Sequence, residues 1–282
     1  RRNYQLWVSI VIMNTVNIKN QGHGFIPYEV TPDQWLLGAS KLPQDVLQDD
    51  GNWYMHLPDQ EWQKRKIETF GCTIYNTFAA IETLERRRFQ EQSEYADRFI
   101  YIKTGTRPPG NNPHVIGEAI RTHGAIPEAM LPFTDKIETL DEYADPNSIT
   151  PEMDAVATKW RTEKSFGHEN VFTPSMDVHE KHERLRDALR YSPVALSVVA
   201  WKEHNGMYVK DQGEPDNHWT LCYLRNGQPH IFDTYEPFVK KLDPLYDFGY
   251  AKRYHVARLA SKPMPPKKWY CYLGSYFKEI IK

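Results

Sequence analysis

Between residues 72 and 84 the apolar side chains Ile74, Phe78, Ile81 and Leu84 fall at the one-face spacing of a 3.6-residue period, which predicts an amphipathic helix starting at Cys72. Gly71 gives the chain room to turn into that helix. Glu85, Arg86, Arg87 and Arg88 then interrupt the stripe, so the helix is expected to emerge into solvent there. A second helix is predicted over 115–123, stopped by Gly124 as a C-terminal glycine signal. Residues 134–175 are polar and punctuated by Pro, with one helix expected over 151–164. A charged helix over 179–190 leads into Pro193. Beyond Pro193 the pattern changes. Residues 194–201, 218–225, 228–234 and 251–259 are rich in β-branched and aromatic residues, and Asn226 with Gly227 makes a strong hairpin signal. Helices first and antiparallel strands second predict an α+β fold. The chain divides on this reading into an irregular arm (1–57), a helical half (58–190), a β-rich half (191–260) and a basic tail (261–282).

Composition narrows the function classes. At 282 residues the chain can bury a sizeable core without a metal or disulfide staple. A net charge of −2 gives no global pull toward nucleic acid or an anionic membrane, so neither is expected as a partner. The best apolar run, residues 6–13, is too short to span a bilayer and contains Ser9; it reads as a buried strand rather than a signal peptide. The chain opens on Arg1, which suggests a piece of a longer polypeptide and an assembly reached through the termini. Residues 251–282 carry eight Lys or Arg against the single acid Glu279, read as a solvated tail. Cys72, Cys222 and Cys271 form neither a disulfide framework nor a zinc pattern, and fit a reducing compartment. Cys222 and Cys271 are expected as core thiols. His179 and His182 are three apart rather than four, so they are read as a solvated helix face and not as metal ligands. No cofactor or metal is implied.

Three residues carry candidate chemistry. A thiol in the first turn of a helix, as Cys72 is predicted to be, faces orphan N–H groups and the positive end of the dipole, and both favour thiolate. The same position also suits a small buried apolar group. His218 opens a predicted strand after a long polar loop, where a histidine is ordinarily a satisfied surface residue. Asp233 sits among apolar neighbours one strand later and needs a partner. The Asn226–Gly227 turn joins these strands, so His218 and Asp233 can lie within hydrogen-bond reach, giving a nucleophile, a base and an orienting group.

That order, Cys on a helix, His opening a strand and an acid or amide 15 residues later, resembles the papain-like cysteine peptidases. Gly71 and Cys72 with Phe78, Ala79 and Ala80 are similar to the family's nucleophile segment, the aromatic and small residues being shifted. Gly124, Glu128, Pro132 and Phe133 resemble its Gly…Glu…Tyr-Pro-Tyr stretch. Ser192, Pro193, Val194 and Ser197 resemble the strand before its histidine, and Asn217-His218-Trp219 its histidine turn. The resemblance covers about residues 58–260 and implies two halves facing across a cleft, with Cys72 from one and His218 from the other.

The resemblance also implies roles. Asp233 stands where the family has Asn, and Tyr235 takes the place of its shielding Trp. The family's oxyanion glutamine lies six residues before the cysteine, where this chain has Lys66; Gln63 is the nearest candidate and requires three extra residues, with Gln60 behind it. Gly110, Asn111 and Asn112 fall where the family pairs with substrate backbone. The implied activity is hydrolysis of a polypeptide through a thioester, in a bacterial or phage type of protein, cytoplasmic or virion-associated rather than secreted. No long charged helix of an inhibitory leader precedes Cys72. The rival readings are a catalytically silent module of a larger assembly and a peptidoglycan amidase, the latter opposed by the long insert over 73–217.

Overall fold

A computed structural model describes residues 23–259, apart from 32, 33, 35, 40 and 212. The expected strand over 6–13, the basic tail and Cys271 lie outside the described residues. Helices α1 (Cys72–Phe89), α2 (Asp97–Lys103), α3 (Pro113–His123), α4 (Leu140–Tyr143), α5 (Pro151–Glu163) and α6 (Val178–Leu189) precede most of the sheet. The strands are β1 (Gly24–Phe25), β2 (Gly110–Asn111), β3 (Lys164–Phe172), β4 (Val194–Val198), β5 (Lys202–His204), β6 (Met207–Val209), β7 (His218–Arg225), β8 (Gln228–Phe232), β9 (Val239–Lys241) and β10 (Ala251–Arg258). Six of them form an antiparallel sheet in the order β3-β10-β4-β7-β8-β9. The α+β expectation therefore holds.

Local chemistry explains several boundaries. Asn112 caps α3 by accepting from the Val115 N–H at 2.9 Å, and Gly124 ends it at φ 85°. Thr150 caps α5 with Pro151 as its first residue, the position where proline's missing N–H costs nothing. Arg225 pairs with Gln228 across Asn226 and Gly227, whose φ values of 53° and 71° suit a two-residue hairpin turn.

Helix α1 is the axis of the molecule, packed against β7, β10 and β4 on one side and α2 and α3 on the other. It is buried from Cys72 to Glu85, so its polar residues are inside too. Thr77 and Thr83 donate back to the carbonyls of Thr73 and Ala79, each at 2.6 Å. Its end does not emerge into solvent. Glu85 is buried against the Lys164 ammonium at 2.7 Å, and the Tyr95 hydroxyl donates to it. Arg86 donates to the Leu57 carbonyl, Arg87 to that of Leu47, and Arg88 pairs with Asp45. Charge at this point marks where the arm is tied down.

Strand β3 carries no apolar alternation because its inward charge is paired rather than absent: Glu169 bonds Arg253 of β10, both buried. In the 179–182 face His179 and Glu180 are exposed as expected, but Lys181 and His182 are not. Lys181 pairs with Asp247 at 2.7 Å, and His182 lies 3.0 Å from the Tyr246 carbonyl, both buried. Among the described residues no group of side chains could hold a metal ion.

Below the helical half, Glu61, Glu82, Asp97 and Glu128 crowd one another. Burial pushes all four carboxyls up, and mutual repulsion adds to it, raising Glu128 from 4.5 to about 7. A carboxyl raised in the folded state contributes stability below its unfolded value and loses it as pH rises through the folded value. The contribution of this cluster to stability is therefore expected to fall between about pH 5 and pH 8, Glu128 alone accounting for on the order of 3 kcal/mol of it, against the opposite slope from buried histidines such as His168 and His255. Glu128→Gln should flatten that slope; identical slopes in melting curves of the two proteins would refute the assignment.

Candidate active site

Cys72 opens α1, and β7 runs directly beside it. The Asn76 side chain, one turn on, donates to the Cys72 carbonyl at 3.0 Å and to the Trp219 carbonyl at 2.7 Å. This clamp ties the first turn of α1 to the residue after His218. The Trp219 and Thr73 backbone N–H groups favour thiolate at the sulfur.

His218 is wholly buried, not a surface residue, and so is Asp233. Its Nε2 and Asp233 Oδ1 hydrogen-bond at 2.6 Å. The register makes this possible: Leu221 pairs with Phe232, so the start of β7 lies beside the residue that follows β8. With Nε2 engaged, Nδ1 is left buried without a hydrogen-bond partner among the described residues, the nitrogen available for proton transfer. Tyr235 lies against the imidazole with ring centroids 5.2 Å apart, as expected, and Trp201 meets it edge-on at 5.6 Å.

Two further groups hold Asp233. The Thr234 N–H donates to Oδ1 at 2.7 Å, and the Lys240 ammonium lies 2.6 Å from Oδ2. Burial works to raise the Asp233 carboxyl, but His218 and Lys240 together more than offset it and hold it below its usual value.

Gln63 reaches the site in spite of the extra length. The Thr69 N–H and hydroxyl both donate to the Gln63 carbonyl, at 3.3 and 2.9 Å, so residues 64–68 loop out between them. Its side-chain oxygen accepts from the Thr234 hydroxyl at 2.7 Å, and Nε2 reaches Glu68 at 2.9 Å and the Tyr235 hydroxyl at 2.7 Å. Nε2 also donates to the His23 carbonyl at 3.1 Å.

That last contact belongs to the arm. The His23 N–H donates to the Asn217 carbonyl at 3.0 Å, and β1 then pairs in parallel with β2, Gly24 opposite Gly110 and Phe25 opposite Asn111. A Cβ on Gly24 would stand 3.0 Å from the Cys72 sulfur, so the arm's backbone lies against the thiol. Phe25 stacks on Trp219 with centroids 5.5 Å apart. Of the three residues expected to pair with backbone, Gly110 and Asn111 do so with this segment; Asn112 caps α3 instead. The covered thiol is not poised for ionisation. Burial pushes Cys72 well above its usual range, with Asp233 and Glu68 adding to it and the two N–H groups opposing.

No family model and no curated protein sequence matches this chain. Solved structures do. Xylellain, a cysteine protease from Xylella fastidiosa, is similar with a TM-score of 0.56 at 16% identity, covering 86% of this chain and 97% of that one. Digestive procathepsin L 3 from the larval midgut of Tenebrio molitor gives a TM-score of 0.52 at 15% identity, over 78% of this chain and 73% of its own. The ragweed pollen allergen Amb a 11, a cysteine protease in its proform, gives 0.51 at 17% identity, over 80% and 69%. The chain has the papain-like fold, in a sequence far diverged from these examples.

The histidine, the aspartate and the glutamine were visible as chemistry-bearing residue types; Asn76, Trp201 and Lys240 were not, because each acts through a tertiary contact with no local motif. Asn76→Ala should leave the buried Trp219 carbonyl unpaired and cost about 1–3 kcal/mol in denaturant unfolding. A change below about 0.5 kcal/mol, the range of an ordinary surface substitution, would show that the clamp does not hold the turn.

Proposed function

We propose that this chain is a cysteine peptidase acting through Cys72, His218 and Asp233, and that the described form is its closed state. The observation that carries the reading is the buried His218–Asp233 bond beside Cys72, with Nδ1 left free. With a substrate in place of the arm, Nδ1 takes the thiol proton and the thiolate attacks the peptide carbonyl. The Cys72 N–H and the Gln63 amide face the developing oxyanion. His218 then returns the proton from Nδ1 to the leaving amine as the C–N bond breaks, leaving a thioester. Water, deprotonated by the same nitrogen, releases the acid and restores the thiol. Asp233 keeps the imidazole in the tautomer this needs.

The arm itself supports a polypeptide substrate. Its backbone bonds to Gly110, Asn111, Asn217 and Gln63, all of them contacts that any extended chain can make. A cytoplasmic or virion-associated protein of bacterial or phage type remains part of this proposal. A second reading, a silent module, is favoured by Glu68: its carboxylate takes one Gln63 amide hydrogen and opposes negative charge nearby.

Iodoacetamide labelling of Cys72 separates them. Gly24→Ala places a Cβ 2.4 Å from the Phe70 carbonyl oxygen at a φ of 113°, a contact that forces the arm and the Phe70 backbone apart. In that variant labelling is expected to be fast on the acid side, near about pH 5, and to collapse when His218→Ala is added, because only an ion-paired thiolate alkylates there. Slow labelling with an ordinary thiol profile in both would favour the silent module.

A further inference from the structure

Lys240 is a cation in a place where burial disfavours one, and the site as described gives it no direct contact with thiol or imidazole. It is 1% exposed. All three of its N–H donors are used, on Asp233 Oδ2 at 2.6 Å, the Tyr235 carbonyl at 2.8 Å and the Pro237 carbonyl at 2.7 Å. The Trp201 ring closes over it, 4.8 Å from ammonium to centroid, and the same ring meets His218 edge-on. Asp233 is thus one carboxylate with two ends, Oδ1 on His218 and Oδ2 on Lys240.

The physical consequence concerns net charge. A lone buried carboxylate beside His218 would stabilise imidazolium, but it would also oppose the thiolate that must form next to it. Both effects act in a low-dielectric interior where a single charge is felt strongly. A carboxylate joined to a buried ammonium presents an acceptor oxygen with much of its charge offset, closer to what a neutral side-chain amide would present. We infer that Lys240 is a positioning residue that offsets much of the negative charge Asp233 presents to the Cys72–His218 pair, so that an acid can stand in the orienting position with little movement of the pH range of the ion pair. The inference rests on the peptidase reading above.

The other groups facing the pair are His23 from the arm, Glu68 from the loop before α1 and Tyr235 from the loop after β8. They are common to every variant below and cancel in the comparison. The test is the pH profile of Cys72 alkylation by iodoacetamide in the Gly24→Ala protein, alone and with K240M, D233N or both.

In K240M the uncompensated carboxylate disfavours thiolate and favours imidazolium, so both limbs of the profile, the acid-side rise as the ion pair forms and the alkaline step as the imidazolium loses its proton, should move up by about one pH unit. D233N removes the carboxylate and with it the only opposite charge holding the buried ammonium ionised, so it should not move the limbs up as K240M does. The double variant has neither charge and should return to within about half a unit of the starting profile. A purely structural role for Lys240 would change folding yield or labelling amplitude without translating the limbs, and the double variant would not restore them. If either single variant fails to fold, the double variant still decides: limbs displaced by more than about one unit overturn the inference, and unshifted limbs support it. An ordinary thiol profile in Gly24→Ala alone defeats the peptidase reading itself. Acid-side labelling that neither K240M nor the double variant treats as described defeats only the role given to Lys240.

Discussion

Everything in this molecule depends on burying α1 against β7. A helix sealed from Cys72 to Glu85 must satisfy its polar groups internally, and the chain does this with back-bonded threonines and the Asn76 clamp. The clamp sets the sulfur beside the first residues of β7, and the β7–β8 register then sets Asp233 beside His218. The candidate site is a by-product of two packing relations, helix on strand and strand on strand. Neither belongs to the candidate residues themselves.

Burial gives these groups their partners and also restrains them. His218, Asp233 and Lys240 form a chain of contacts in which every charge is met, which is the condition under which ionised groups survive in an interior. Among the described residues no opposite charge is bonded to Cys72, and burial pushes its thiol well above its usual range. The arm does both things at once: its backbone fills the hydrogen bonds of Gln63, Asn217, Gly110 and Asn111 while it excludes water from the sulfur. Its apolar anchor is Phe25 on Trp219. No long helix is needed for such a cover, because two residues of strand pairing and one stacked ring hold it over the thiol.

Much of this was legible from one chain. The helix at Cys72, the stop at Gly124, the hairpin at Asn226 and Gly227 and the strand beginning at His218 follow from periodicity and turn chemistry, both of which are local. Glu85 and the three arginines after it were misread because charge ordinarily marks solvent; here it marks contacts with Lys164 and with the arm, more than 25 residues away in sequence in each direction. Strand β3 was missed for the same reason, its buried Glu169 being answered by Arg253 of another strand. Gln63 could be nominated, but only the looping-out of residues 64–68 brings it to Thr234 and Tyr235.

The sequence by itself determined the order of helices and strands, the thiol at a helix start, the histidine at a strand start and the requirement that Asp233 find a partner. Each is set by interactions among near neighbours: hydrogen-bond spacing, turn geometry and the cost of an unpaired buried charge. Only the tertiary structure decided that the side-chain partners of Asp233 are His218 and Lys240, and that His23 to Phe25 lie over the thiol. Those outcomes turn on which distant segments share one interior, and solvation and charge pairing there depend on the whole packing arrangement rather than on any stretch of the chain.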